Sequence, residues 1–185
     1  MRLSSPRVPP IDPEALRGEP REILDRSRMN ERTLNIFATL IHHPKLMKRW
    51  QVFGSHVLNK STLPPREREL LILRIGWLCR CEYEFGQHVV IGKQAGLSDE
   101  EIERVTRGPD AEGWDSFDAT LLRAADELHA DAFVSDATWM ELAQRYDTMQ
   151  QIDVVFTVGQ YNLVSMALNT LGVQLDEGFP GFPCP

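Results

Sequence analysis

The sequence contains no apolar run that approaches the ~20 residues needed to span a bilayer. Its beginning, Met1 to Asp12, also lacks the apolar segment of a secretory signal. Cysteine is scarce, because only three residues occur and their spacing matches no disulfide framework. These absences predict a cytoplasmic protein with no membrane partner.

The chain also lacks an excess of positive charge. It has 20 Lys and Arg residues and 27 Asp and Glu residues, which gives a net charge of −7. This balance argues against a nucleic-acid partner. The short basic cluster at 42–50 is interpreted as a solvated helix face. Apolar residues make up 42% and charged residues 25% of the chain, as in an ordinary soluble globular protein.

Several functional motifs are missing from the sequence. It has no Gly-rich phosphate loop, Walker sequence, serine nucleophile elbow or zinc-ligand spacing. Glu84 and His88 offer two metal ligands, but a usable site normally needs at least three. We therefore expect a small-molecule substrate and neither a metal nor another cofactor.

Alternating strand patterns are absent, and apolar residues recur with a helical period through most of the chain. The length supports one helical domain at 21–176. Before it, the five prolines of 1–20 predict an extended arm, and after it a Pro/Gly-rich tail at 177–185 carries Cys184. The expected helices are 21–29, 33–42, one from Pro44, one capped by Ser61 or Thr62, then 81–96, 99–106, 117–132, 136–146 and 147–171.

The stretch 66–96 lacks proline and is longer than the usual ~8–20 residues of a globular helix. Two helices are therefore predicted, with a break between Gly76 and Cys81. The first is apolar on almost all sides, which predicts burial in the domain centre or in a subunit interface.

Potentially reactive side chains line one face of the second helix. Cys81, Glu84 and His88 share that face, because helical residues advance by about 100° each. Glu69 comes one turn into the preceding helix, where an antiparallel neighbour can bring it opposite. Taken singly, each residue also has a structural interpretation, as an exposed helix pair or a small buried thiol. Together they mark the candidate site.

This motif resembles the carboxymuconolactone decarboxylase family, which includes the alkylhydroperoxidase D-type thiol peroxidases. The resemblance is specific over about 45–110 and recognisable to about residue 173. It depends on Leu-Pro-Pro-Arg at 63–66, Gly-Leu-Ser-Asp-Glu-Glu-Ile at 96–102, and the set Glu69, Cys81, Glu84 and His88 between them.

The peroxidase branch uses a Glu, a Cys-x-x-Cys pair and a His as a thiol site with a proton relay. By resemblance, Glu69 corresponds to the relay Glu, Cys81 to the first Cys and His88 to the relay His. Glu84 replaces the second Cys, the residue that attacks peroxide in those enzymes. The chain is therefore interpreted as a non-peroxidase member of the family.

The resemblance also implies an all-α, alkylhydroperoxidase D-like helical bundle built from helical-hairpin repeats. It implies homo-oligomers, trimers or hexamers, with pockets near subunit contacts. The match between Gly-Val after the last helix, at 172–173, and Gly-Leu at 96–97 is a weak sign of such a repeat.

The resemblance implies acid–base chemistry on a small organic acid or lactone. His88 would move a proton while Glu84 or Glu69 orients it. Arg74 would hold a substrate carboxylate or, alternatively, form a structural ion pair. Tyr83 and Tyr161 are further candidates for substrate binding.

Two other functions remain open at this stage. The first is thiol peroxidase activity through Cys81, whose pKa a helix N-terminus and a nearby His88 imidazolium would depress. The second is a non-catalytic assembly protein, in which ordered side-chain pairs would fill the site face and leave no cavity.

Overall fold

The computed structural model describes residues 2–28 and 32–183. Within these ranges the chain forms nine α-helices, a short 3₁₀ turn at Pro13–Ala15 and no β-strand, which confirms the all-α prediction. None of the helices in the described ranges is long and apolar enough to cross a membrane. The helices are α1 (Glu19–Arg26), α2 (Asn35–Leu40), α3 (Pro44–Asn59), α4 (Pro65–Leu78), α5 (Glu82–Gln94), α6 (Asp99–Arg107), α7 (Ser116–Asp131), α8 (Asp136–Leu142) and α9 (Thr148–Leu171).

Helix α4 is the axis of the bundle, and α5, α7 and α9 pack around it. Leu70 to Ile75 are buried without interruption, because the apolar residues of this helix cover all of its sides. Side chains from all three neighbouring helices join the same hydrophobic core. The predicted central burial of this helix is confirmed.

The break between α4 and α5 lies where the sequence predicts it. Arg80 adopts a left-handed conformation with φ of 51°, which reverses the chain direction. The amide of Cys81 donates to the Gly76 carbonyl at 2.9 Å, and Cys81 becomes the N-cap of α5. The two helices therefore form a hairpin, which brings their side chains face to face.

Capping boxes form at two helix starts. Ser98 and Glu101 form a capping box at α6, and Asp147 and Gln150 form one at α9. In both boxes, side chains no more than three residues apart accept hydrogen bonds from backbone amides at the helix start that have no partner within the helix.

The predicted cap of α4 is wrong. Its N-cap is Pro64, which makes no side-chain cap. The hydroxyl groups of Ser61 and Thr62 instead donate to Asp153 Oδ2 on α9, at 3.2 and 2.7 Å. These residues thus join two helices that are distant in sequence.

Several helix bounds differ from the predicted ranges. Helix α1 ends at Arg26, and Met29 lies outside the described residues. Helix α2 is confined to Asn35–Leu40, and α8 ends at Leu142. Beyond α8, the hydroxyl of Tyr146 donates to the buried Glu67 of α4.

The described parts of both terminal segments pack on the bundle. In the N-terminal arm, the amides of Arg7 and Val8 donate to the Leu171 carbonyl at the end of α9, at 2.9 and 3.1 Å. The C-terminal tail returns to the α4–α5 hairpin, where Phe182 contacts the rings of Trp77 and Phe85. Cys184 lies outside the described residues.

Candidate functional site

The side chain of His88 lies between two carboxylates. Its Nδ1 is 2.6 Å from Glu69 Oε2 on α4, and its Nε2 is 3.0 Å from Glu84 Oε1 one turn before it on α5. All three side chains are buried. The structure therefore brings together three of the predicted site residues in one hydrogen-bonded chain, which we call the Glu–His–Glu relay.

The hairpin makes this arrangement possible. Glu84 and His88 are four residues apart and so lie on one face of α5. Gly92, one turn further on, lets α5 approach α4 closely, because a Cβ there would lie 3.0 Å from Leu97 and 3.8 Å from the Cβ of Glu69. Two antiparallel helices at this short separation place Glu69 opposite the His88 ring.

The relay holds His88 in its cationic form. Burial alone lowers the pKa of His88, but the Coulombic attraction and hydrogen bonds of Glu69 and Glu84 outweigh burial and raise that pKa to about 10. Both ring N–H groups then donate to carboxylates at neutral pH. Arg68 adds a second positive charge, 3.1 Å from Glu69 Oε1.

A cavity of about 510 Å³ adjoins the relay. Glu84 and His88 belong to its wall, whereas Glu69 lies behind them and is completely buried. Much of the remaining wall is apolar or aromatic, including Phe37, Trp50 and Ile91. A cleft of this size and character is typical of a small-molecule site.

Both predicted substrate-binding tyrosines line this cavity. The ring of Tyr161 meets the His88 ring edge to face, with centroids 4.8 Å apart. The hydroxyl of Tyr83 is already engaged, since it donates to Asp176 and accepts from the Ile36 amide. The ring of Tyr83 therefore lines the cavity, and its hydroxyl group binds Asp176 in the segment that follows α9.

Cys81 lies apart from the cavity. Its thiol is buried and lines a separate void of about 10 Å³. Burial, followed by the nearby Glu84 carboxylate, raises the pKa of Cys81 to about 12. The prediction that the pKa of Cys81 is lowered is therefore wrong. Burial and the Glu84 carboxylate outweigh the effect of the helix N-terminus. Both ring nitrogens of His88 bond to Glu69 and Glu84 and so do not bond to the thiol.

Cys79 makes a different set of contacts. Its thiol donates to Asn162 Oδ1 at 3.0 Å, and burial raises its pKa. Asn162 therefore faces the thiol and does not line the cavity.

Arg74 is not part of the candidate site. Its guanidinium pairs with Asp126 on α7 at 2.5 and 2.9 Å and donates to the carbonyls of Val105 and Thr106. The prediction that it binds a substrate carboxylate is corrected in favour of the structural ion pair, because these partners occupy its donors outside the cavity.

Sequence reasoning missed Gln160 and Trp50, which both line the cavity. Gln160 is 4% exposed and stands directly before Tyr161 in α9. A glutamine within a helix that is apolar nearly all round was the signal that could have found it. Trp50 belongs to the regular apolar stripe of α3, so its pattern did not distinguish it from a core residue.

Metal binding has no visible basis in the part of the chain that the structure describes. No group of three or more His, Cys, Asp and Glu side chains there is arranged to hold a metal ion. The relay residues bind one another through the hydrogen bonds given above.

Comparisons with known proteins give matches for both the fold and the site segment. Residues 44–127, which contain the relay, match the model of the carboxymuconolactone decarboxylase family. No curated protein sequence shows a significant match. A solved peroxidase-related protein from Ralstonia eutropha, described as an alkylhydroperoxidase AhpD core, is 18% identical with a TM-score of 0.81 and covers 93% of each chain.

Two further solved structures are similar. A peroxidase-related protein from a Silicibacter species is 14% identical with a TM-score of 0.77, covering 96% of this chain and 93% of its own. The debrominase Bmp8, in a variant bound to 2,3,4-tribromopyrrole, is 10% identical with a TM-score of 0.77 and covers 94% of each chain. At these identities the matches establish the alkylhydroperoxidase D-like fold alone.

The family match covers the hairpin that carries the relay. This match agrees with the resemblance to the carboxymuconolactone decarboxylase family that the sequence motif carries.

Proposed function

We propose that the protein is a carboxymuconolactone decarboxylase-like enzyme that uses the Glu–His–Glu relay for acid–base chemistry on a small organic acid or lactone. The observation that carries the proposal is a buried, cationic His88 between two carboxylates at the wall of a cavity of about 510 Å³. A purely structural ion pair needs no such cavity beside it, whereas an acid–base site does.

Each relay residue has a distinct part in the proton transfer. Glu84 belongs to the cavity wall and takes a proton from an acidic C–H or O–H group of the substrate, or returns one. In a decarboxylation, the bond to CO₂ breaks, its electron pair remains on the substrate as an enolate, and the proton of His88 Nε2 passes through the Glu84 carboxylate to the enolate carbon. The neutral His88 then regains a proton from solvent, and Glu69 stabilises the His88 ring from behind.

Thiol peroxidase activity through Cys81 has less support. A pKa of about 12 leaves very little thiolate at neutral pH, and the thiolate is the nucleophile in peroxide reduction. The thiol also lines a void separate from the cavity beside the relay.

A non-catalytic assembly role has less support as well. It predicts a site face filled by side-chain pairs, with no cavity beside them. The relay is such an ordered set of pairs, but the adjoining cavity favours a site that admits a small molecule.

Deuterium incorporation tests the acid–base proposal even when the product is unidentified. The wild type is incubated in D₂O with a panel of small lactones and keto acids, and mass spectrometry records deuterium uptake and loss of CO₂. We expect His88→Gln and Glu84→Gln to lower the rate at least ~100-fold, the usual lower range for loss of a general acid–base group. Cys81→Ser is expected to retain the rate within a few-fold.

His56→Gln on α3 is the matched control, because His56 is exposed and lies outside the cavity wall. Retention of the full wild-type rate in His88→Gln would contradict the proposal. Peroxide consumption that is lost in Cys81→Ser would favour the thiol alternative instead. Circular dichroism of each variant verifies that the helical fold is intact.

A further inference from the structure

Gln160 belongs to the cavity wall, and its side chain carries an unsatisfied polar atom. Its side chain is 4% exposed, and its Oε1 is buried with no hydrogen-bond partner among the described residues. Its Nε2 faces α3, where it lies 3.2 Å from the position that a Cβ would occupy at Gly54. A buried acceptor without a donor is costly, and a ligand donor in the cavity removes that cost.

The walls around this acceptor suit a flat, apolar molecule. Phe37 and Trp50 line the cavity with their rings 6.4 Å apart, and Val164 and Ile91 also belong to the wall. Tyr161 lies beside His88 and completes the aromatic lining near the relay. Aromatic side chains of this kind favour stacking and edge contacts with unsaturated rings.

The charges of the cavity disfavour an anion. Glu84 presents a carboxylate, and both N–H groups of His88 already donate to carboxylates. The other cationic residues in the described wall, Arg26 and Arg28, are solvent-exposed. Arg74, the sequence's candidate for a carboxylate ligand, pairs with Asp126 elsewhere.

We propose that this cavity binds an uncharged, unsaturated ring that carries an N–H or O–H donor, with the donor bonded to Gln160 Oε1 and the ring between Trp50, Phe37 and the relay. The inference rests on the proposed function in using the same cavity, and within the proposed substrate class it selects uncharged lactone rings that carry such a donor over organic-acid anions. Gln160 is a binding residue in this scheme and takes no part in proton transfer.

Isothermal titration calorimetry with matched ring probes tests the inference. Indole and benzofuran have nearly the same shape but differ in the N–H donor, and benzoate supplies an anion. We expect the wild type to bind indole about tenfold more tightly than benzofuran, as for one buried hydrogen bond, and to bind benzoate more weakly than indole. In Gln160→Met the preference for indole over benzofuran should disappear.

Gln144→Met is the control, because Gln144 is exposed and lies outside the cavity wall, so its replacement should leave the preference unchanged. Equal wild-type affinity for indole and benzofuran, an unchanged preference in Gln160→Met, tightest binding of benzoate, or no binding of indole would each overturn the inference. None of these results bears on deuterium incorporation, so the two proposals fail separately. If Gln160→Met does not fold, the wild-type comparison of indole and benzofuran decides.

Discussion

At the residue scale, Glu84 sets the chemistry of the site. It stands where the sequence resemblance places the second cysteine of the peroxidases, and it binds His88 Nε2 at 3.0 Å. Together with Glu69, its carboxylate raises the pKa of His88. Burial is the larger cause of the raised pKa of Cys81, and the Glu84 carboxylate is the second cause. One carboxylate in place of a thiol therefore favours a charged acid–base group and disfavours a thiolate.

The raised pKa of His88 predicts a pH dependence of stability. Because the folded-state pKa of about 10 exceeds the usual value of 6.5, protonation of His88 stabilises the fold fully below about pH 6.5. This contribution declines as the pH rises and is lost above about pH 10. Urea unfolding from pH 6 to about pH 10.5 should therefore show a loss of unfolding free energy for the wild type.

His88→Gln removes the titrating group and should flatten this part of the profile. His56→Gln, on the exposed face of α3, should keep the wild-type slope. Parallel profiles for the wild type and His88→Gln would show that His88 is not held protonated in the folded protein.

At the element scale, the C-terminal tail and α5 fit together through a glycine. A Cβ at Gly86 would lie 2.0 Å from the Pro180 carbonyl oxygen, a distance that no side chain can accept without movement. The tail also places Phe182 against Trp77 and Phe85, and its Phe182 amide contacts Glu82 at 3.4 Å. Gly86 thus allows the tail to cover the start of the site helix.

Gly86→Ala should lower the melting temperature, since the added methyl group displaces the tail at a cost of about 1–3 kcal/mol. Gly159→Ala on α9 is the matched control, because no heavy atom lies within 4 Å of its added Cβ. Alanine there should be neutral or stabilising by up to about 1 kcal/mol through helix propensity. Thermal unfolding followed by circular dichroism measures both effects.

A chain that ends after Glu177 provides the decisive comparison. Without the tail, Gly86→Ala should lose its penalty and behave like Gly159→Ala. A penalty of the same size in both backgrounds would mean that the tail does not cause it.

At the scale of the whole molecule, α3 and α9 expose an apolar surface. Phe53 and Phe156 form an edge-to-face pair with ring centroids 6.1 Å apart, yet they are 40% and 53% exposed. Leu163 and Met166 on α9 are exposed to a similar extent. Contiguous exposed apolar surface is typical of protein interfaces, so homo-oligomerisation, as a trimer or hexamer, remains our prediction.

Analytical ultracentrifugation tests this prediction. The wild type should sediment as a trimer or hexamer, and Phe156→Lys should shift it to smaller species, because a lysine charge in an apolar interface costs desolvation energy. Met140→Lys, at a 63% exposed position on α8, should leave the assembly unchanged. A monomeric wild type would contradict the prediction.

The sequence by itself determined the features that depend on neighbours within about four residues. The capping boxes at Ser98 and Asp147, the hairpin break before Cys81 and the shared face of Glu84 and His88 follow from local hydrogen bonding and helical periodicity. The family motif added the position of Glu69, which periodicity alone leaves open.

Only the tertiary structure decided which distant residues meet. Arg74 pairs with Asp126, which is 52 residues away in the sequence, and therefore does not line the candidate site. Ser61 donates to Asp153, which is 92 residues away, and therefore does not cap α4. Gln160 becomes a cavity residue through the packing of α9 beside α3 and α5. Local sequence specifies which residues share a face of a helix. Which helix packs against that face depends on how the whole bundle buries its apolar surface, and many residues distant in sequence contribute to that burial.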